Sequence, residues 1–82
     1  IELVSNNYNG GRYRSLSKVQ KISSAFYRDR YDAEEEIKAM AKYLECTHVI
    51  NLRWRSDTSE EEGPKGGTHI YTVWQAIGYA AK

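Results

Sequence analysis

DAEEEIKAMAKYLECTHVINLRWR, residues 32–55, reads as a capped amphipathic helix, a tight exit and a β-strand. Ala33, Ile37, Met40 and Leu44 recur at spacings of 4, 3 and 4, which places them on one helical face. Asp32 is a natural N-cap, and Glu35 three residues on completes a capping box. Glu34, Glu35 and Glu36 suit the positive end of the helix dipole, and Lys38 and Lys42 follow toward its negative end. The helix is expected to leave at Glu45–Thr47, after which VINLRW has the β-branched and aromatic content of a strand.

Working outward, IELVS (1–5) suits a short strand, and NNYNGG (6–11) supplies the Asn and Gly that turns require. In residues 12–31, Leu16, Val19, Ile22 and Phe26 recur at 3, 3 and 4 and favour helical turns, although Ser15, Ser17, Ser23 and Ser24 weaken them. C-terminal to the central unit, residues 56–67 are polar, hold the only proline and three glycines, and read as a mobile hairpin loop. THIYTVWQAIGYAA (68–81) is the longest strand candidate. One of its faces carries Ile70, Thr72, Trp74 and Ala76, the other Tyr71, Val73, Ile77 and Tyr79, so both are largely apolar. Gly78 marks a bulge or a close backbone approach.

The totals bound the answer. Eighty-two residues make one small domain (1–82), with residues 6–31 as an inserted arm. With 40% hydrophobic residues the chain folds, but its mean hydropathy of -0.74 leaves a limited core, which assembly with further copies would enlarge. A net charge of +1 gives no global electrostatic pull toward nucleic acid or membrane, and no apolar run approaches the roughly 20 residues of a membrane span. A single cysteine excludes an internal disulfide framework and favours a reducing, cytoplasmic setting. A leader ahead of Ile1 would instead move the domain to the envelope as a lipoprotein.

The expected fold is α+β in β-α-β-β order: a three-stranded antiparallel sheet with one main amphipathic helix on one face. That helix hides one side of the last strand, so the 12–31 segment or a neighbouring subunit must cover the other. A homo-oligomer is expected.

The passage AKYLECTHVINLRW (41–54), followed by HIYTVWQAIGYAA (69–81), resembles the helix-to-strand crossing and final strand of small bacterial YbjQ-like proteins, a family labelled heavy-metal-binding. The stress-sensor lipoproteins of the Rcs pathway share a comparable passage. The resemblance implies a β-α-β-β domain that assembles into rings, with no established chemistry. Glu45, Cys46 and His48 stand where that family prefers Gly and Ala. The flavin-binding dodecins, another β-α-β-β group, carry an Arg-Trp pair in the middle strand similar to Arg53–Trp54.

Several constellations could carry chemistry. Trp54 and Trp74, with Tyr71 and Tyr79, are candidates for binding a ligand or partner, either as a stacking platform for a flavin or base or as core and interface anchors. Arg12, Arg14, Lys18, Lys21, Arg28 and Arg30, interleaved with tyrosines, form a candidate nucleic-acid arm, set against the plainer reading of a solvated face. Cys46 and His48, two apart, could share a strand face and with His69 offer three ligands to zinc, although paired metal-ligand spacing is lacking. Glu45 beside Cys46 disfavours a thiolate nucleophile. No nucleophile elbow, Walker loop or dinucleotide-binding glycine pattern is present. The residues thus point to a non-enzymatic, self-associating domain that binds a partner or small ligand. A nucleic-acid binder and a metal or flavin carrier are the alternatives, and no cofactor is required.

Overall fold

The computed structural model describes residues 1–5 and 16–82. The chain is α+β: β1 (Glu2–Ser5), β2 (Lys18–Ser23), α1 (Arg30–Tyr43), β3 (His48–Glu62) and β4 (Thr68–Ala81). The sheet is four-stranded and mixed, in the order β1-β3-β4-β2, rather than three-stranded and antiparallel. Two features account for the difference. The crossover through α1 brings β1 alongside β3 in parallel. The segment read as helical turns supplies β2, which pairs antiparallel with β4 and widens the sheet.

The spacing-of-three signal in 12–31 has a local cause. β2 shifts register between Lys18 and Gln20, so an irregular strand replaces strict alternation. Ile22 is buried, whereas Val19 and Phe26 remain exposed. Ser24 extends the pairing with its side chain: its hydroxyl accepts from the Ala76 N–H at 2.9 Å and donates to the Ala25 carbonyl at 2.8 Å. A serine that substitutes for backbone in this way suits a strand end better than a helix interior.

Helix α1 starts earlier than the glutamate run suggests. Asp29, not Asp32, is its N-cap, accepting from the Tyr31 N–H at 2.9 Å. Its buried stripe is Ala33, Ile37 and Ala41, with Met40 and Leu44 at the flank. These small residues let α1 approach β4 closely, where Ala76 and Ala80 are fully buried. The exit is a Schellman turn: the Cys46 N–H donates to the Ala41 carbonyl and the Glu45 N–H to the Lys42 carbonyl, both at 2.9 Å. Glu45 occupies the left-handed position usually given to glycine, at φ 60°.

β3 carries a bulge. Ile50 faces Tyr79 and Arg53 faces Ile77, so Asn51 and Leu52 together oppose Gly78. Asn51 takes the left-handed conformation, φ 54°, which Asn tolerates better than most residues. A Cβ on Gly78 would lie 2.7 Å from Val49 Cγ1 and 3.1 Å from the Ile50 carbonyl oxygen, so the close approach expected there is real. β3 and β4 then pair without interruption as far as Glu62 and Thr68. Residues 56–62, expected in a loop, are therefore strand, and the turn is confined to 63–67, with Gly66 at φ 74°. The molecule is 55 Å long by 25 by 16 Å, drawn out by this ribbon. Among the described residues no helix is long and apolar enough to cross a membrane.

Two substitutions probe the backbone. Glu45→Gly should raise stability by about 1 kcal/mol by relieving the left-handed strain. Gly78→Ala should lower it by about 1–3 kcal/mol, because Val49 and the β3 backbone cannot both withdraw. Urea denaturation of the two variants checks both signs.

Candidate functional site

The β3 bulge decides which side chains share a face. Beyond it Trp54 pairs with Ala76 and Ser56 with Trp74, so both tryptophans lie on the helix side, diagonally across the ladder. The Arg30 guanidinium stacks on both rings, 4.4 Å from the Trp54 centroid and 4.7 Å from that of Trp74. The platform proposed for a flat ligand is thus capped by the protein's own first helical residue. Tyr27 bridges to Trp74 through N–H and carbonyl at 2.9 and 2.6 Å, and its hydroxyl donates to Glu36 on α1. That hydrogen bond, aided by partial burial and by the Glu36 and Asp32 charges, holds the Tyr27 phenol above its ordinary value of 10.0.

Tyr71 and Tyr79 lie on the opposite face, so the four aromatic candidates form two sites rather than one. Tyr71 pairs with Ser59, and the Arg28 guanidinium lies 3.6 Å from the ring centroid while also pairing with Glu61. The Ser59 hydroxyl and Arg28 favour the phenolate and set the Tyr71 pKa below 10.0. Both Arg28 and Glu61 are more than half exposed, so their ion pair contributes little stability.

The candidate nucleic-acid arm is dispersed. Arg12 and Arg14 lie outside the described residues. Arg28 and Arg30 turn to Tyr71, Glu61 and the tryptophans. Lys18 and Lys21 instead meet Arg53, a residue the sequence reading treated only as half of an Arg-Trp pair. Together with Asn51, Ile77, Gly78 and Tyr79 they line a concavity of about 200 Å³ on the face away from α1. The Lys18 ammonium sits 4.6 Å from the Tyr79 ring centroid. A signal for Arg53 exists in the alternation Arg53-x-Arg55, but only the bulge aims it at Lys21.

The three metal candidates do not converge. Cys46 is buried in the helix exit, its thiol toward the Leu44 carbonyl, and so precedes the strand rather than sharing a face with His48. His48 pairs with Glu2 at 2.9 Å and faces Ala81, whereas His69 faces Glu61. Twelve positions of β4 separate those registers, roughly 40 Å at strand rise. Among the described residues no three His, Cys, Asp or Glu side chains are grouped to hold a metal.

A second cavity, about 490 Å³, lies between β2 and α1 and is lined mainly by Ile22, Ala39, Met40, Tyr43 and Leu44. Tyr43 at its rim is 88% exposed, an unusual position for a large aromatic ring. No family model, curated protein or solved structure matches this chain.

The two displaced tyrosines give a pH test. Tyr27 stabilises the fold below its unfolded value and stops doing so as pH rises through its higher folded value. Tyr71 contributes above its unfolded value, and that contribution is lost as pH falls through its lower folded value. Ultraviolet titration should therefore show one tyrosine ionising early and one late. Tyr27→Phe should delete the late step and leave the early one, and its persistence would break the Tyr27–Glu36 assignment.

Proposed function

We propose that this chain is a non-enzymatic, self-associating binding domain. One observation carries the reading: among the described residues, the β3–β4 ribbon runs beyond the backbone pairing of every other element. The Tyr27–Trp74 bridge marks its last backbone contact with a third segment among the described residues. Beyond that point Asp57–Glu62 and Thr68–Val73 pair, among the described residues, only with each other, and Ile70 is 62% exposed. A two-stranded ribbon is marginal in water without a further layer. A second copy supplies that layer: its apolar groove between β2 and α1 offers Met40, Tyr43 and Leu44 to the projecting Ile70. The contact is heterologous, arm to groove, and differs from a simple pairing of sheet edges, which Lys18 and Lys21 on β2 oppose.

The resemblance to YbjQ-like ring-forming proteins agrees with this assembly, and a reducing, cytoplasmic compartment would keep Cys46 a thiol. Neither tryptophan is assigned to the ligand, because Arg30 occupies both rings. Sedimentation velocity at high micromolar concentration should show an assembly. Ile70→Asp should reduce it to monomer with an unchanged circular dichroism spectrum. A wild-type monomer under those conditions would refute the proposal.

A further inference from the structure

We infer that the concavity formed by Lys18, Lys21, Asn51, Arg53 and Tyr79 is a binding site for a phosphate group. Three cations from two strands converge there, and no carboxylate is among the lining residues. Elsewhere Arg28 pairs with Glu61 and Lys38 with Glu35, within a chain whose net charge is only +1. Neither Lys21 nor Arg53 has an ion-pair partner among the described residues. Like charges brought together without a counter-charge repel one another, and a bound anion removes that repulsion.

The chemistry favours phosphate over a carboxylate. A guanidinium grips two oxygens of a tetrahedral oxyanion while the two ammonium groups act as point charges on the remainder. A lone carboxylate, with one charge, would leave two of the three cations unmatched, whereas a pyrophosphate or successive backbone phosphates bring several charges to the site. The volume, about 200 Å³, falls below the roughly 300–1,000 Å³ of pockets that engulf drug-sized ligands, which suits a small oxyanion rather than a flavin. The site owes its form to backbone as well as charge. The bulge at Asn51–Leu52 turns Arg53 to this face, where Ile77, Tyr79 and the Gly78 backbone complete the lining. Its cations belong to the domain whether or not copies assemble, so the inference does not rest on the self-association proposed above.

The phosphate could be free or part of a nucleic-acid backbone, and two probes distinguish these sources. Amide NMR spectra of the full chain are followed during titration with pyrophosphate and, separately, with a single-stranded oligonucleotide, at low and physiological salt. Saturable shifts centred on Lys21, Arg53 and Tyr79 are expected with at least one probe. They should weaken at least about tenfold in K21E/R53E, while Lys38→Glu on the helix leaves them unchanged. Shifts with pyrophosphate assign a small phosphorylated ligand, and shifts with the oligonucleotide alone assign backbone phosphates. Absence of shifts with both probes, or shifts that survive in K21E/R53E, would overturn the site. Both substituted residues are exposed, so the variant should keep the wild-type fold, with circular dichroism as the check. Ile70→Asp should bind as wild type does, so loss of assembly and loss of phosphate binding are read independently.

Discussion

Asn51 and Leu52 stand together against Gly78, and that single extra residue in β3 sets the chemistry of both faces of the sheet. In a regular strand, odd and even residues keep to opposite sides along the whole length. Val49 and Trp54 would then face apart. With the bulge, Val49, Leu52 and Trp54 all join the helix side, and Arg53 passes to the other. The left-handed backbone of Asn51 and the missing side chain at Gly78 make the insertion tolerable.

From that switch the rest of the packing follows. The helix lays Ala33, Ile37 and Ala41 against Ala76, Ala80 and Val49, a contact built on small side chains and therefore close. Full burial of Ile37 alone is worth about 1.5–3 kcal/mol, a large share for so small a core. Past the helix N-terminus the core gives way to polar contacts: Arg30 stacks on two tryptophans and the Tyr27 hydroxyl donates to the Glu36 carboxylate. Past those, the ribbon has no backbone pairing with a third segment among the described residues, and Arg28 lies on it at Tyr71 and Glu61. The gradient from packed core to exposed arm runs along one axis, and the proposed self-association would use that arm.

Much of this was legible in the residues. The helix face, its exit at Glu45, the strand at VINLRW and the two faces of the last strand all follow from short-range periodicity. Gly78 announced a close approach because nothing else explains a glycine within an apolar strand. The failures share a cause, which is that strand pairing is non-local. KVQKIS reads as helical because a register shift breaks its alternation, and only its partner β4 reveals it as a strand. Residues 56–62 read as a loop because their side chains are polar and mostly exposed, with no apolar alternation to mark a strand. Arg53 was invisible as a site residue, since its neighbour Lys21 is 32 positions away in sequence and two strands over in the sheet.

The bulge is the claim on which the faces, the stacked arginine and the basic concavity all depend, and cross-strand nuclear Overhauser contacts read it directly. The account predicts Ile50 opposite Tyr79 and Arg53 opposite Ile77, with both Asn51 and Leu52 facing Gly78. Contacts pairing Leu52 with Ile77 and Arg53 with Ala76 would describe an unbulged ladder. Trp54 would then leave Arg30 for the far face, and the account would be wrong.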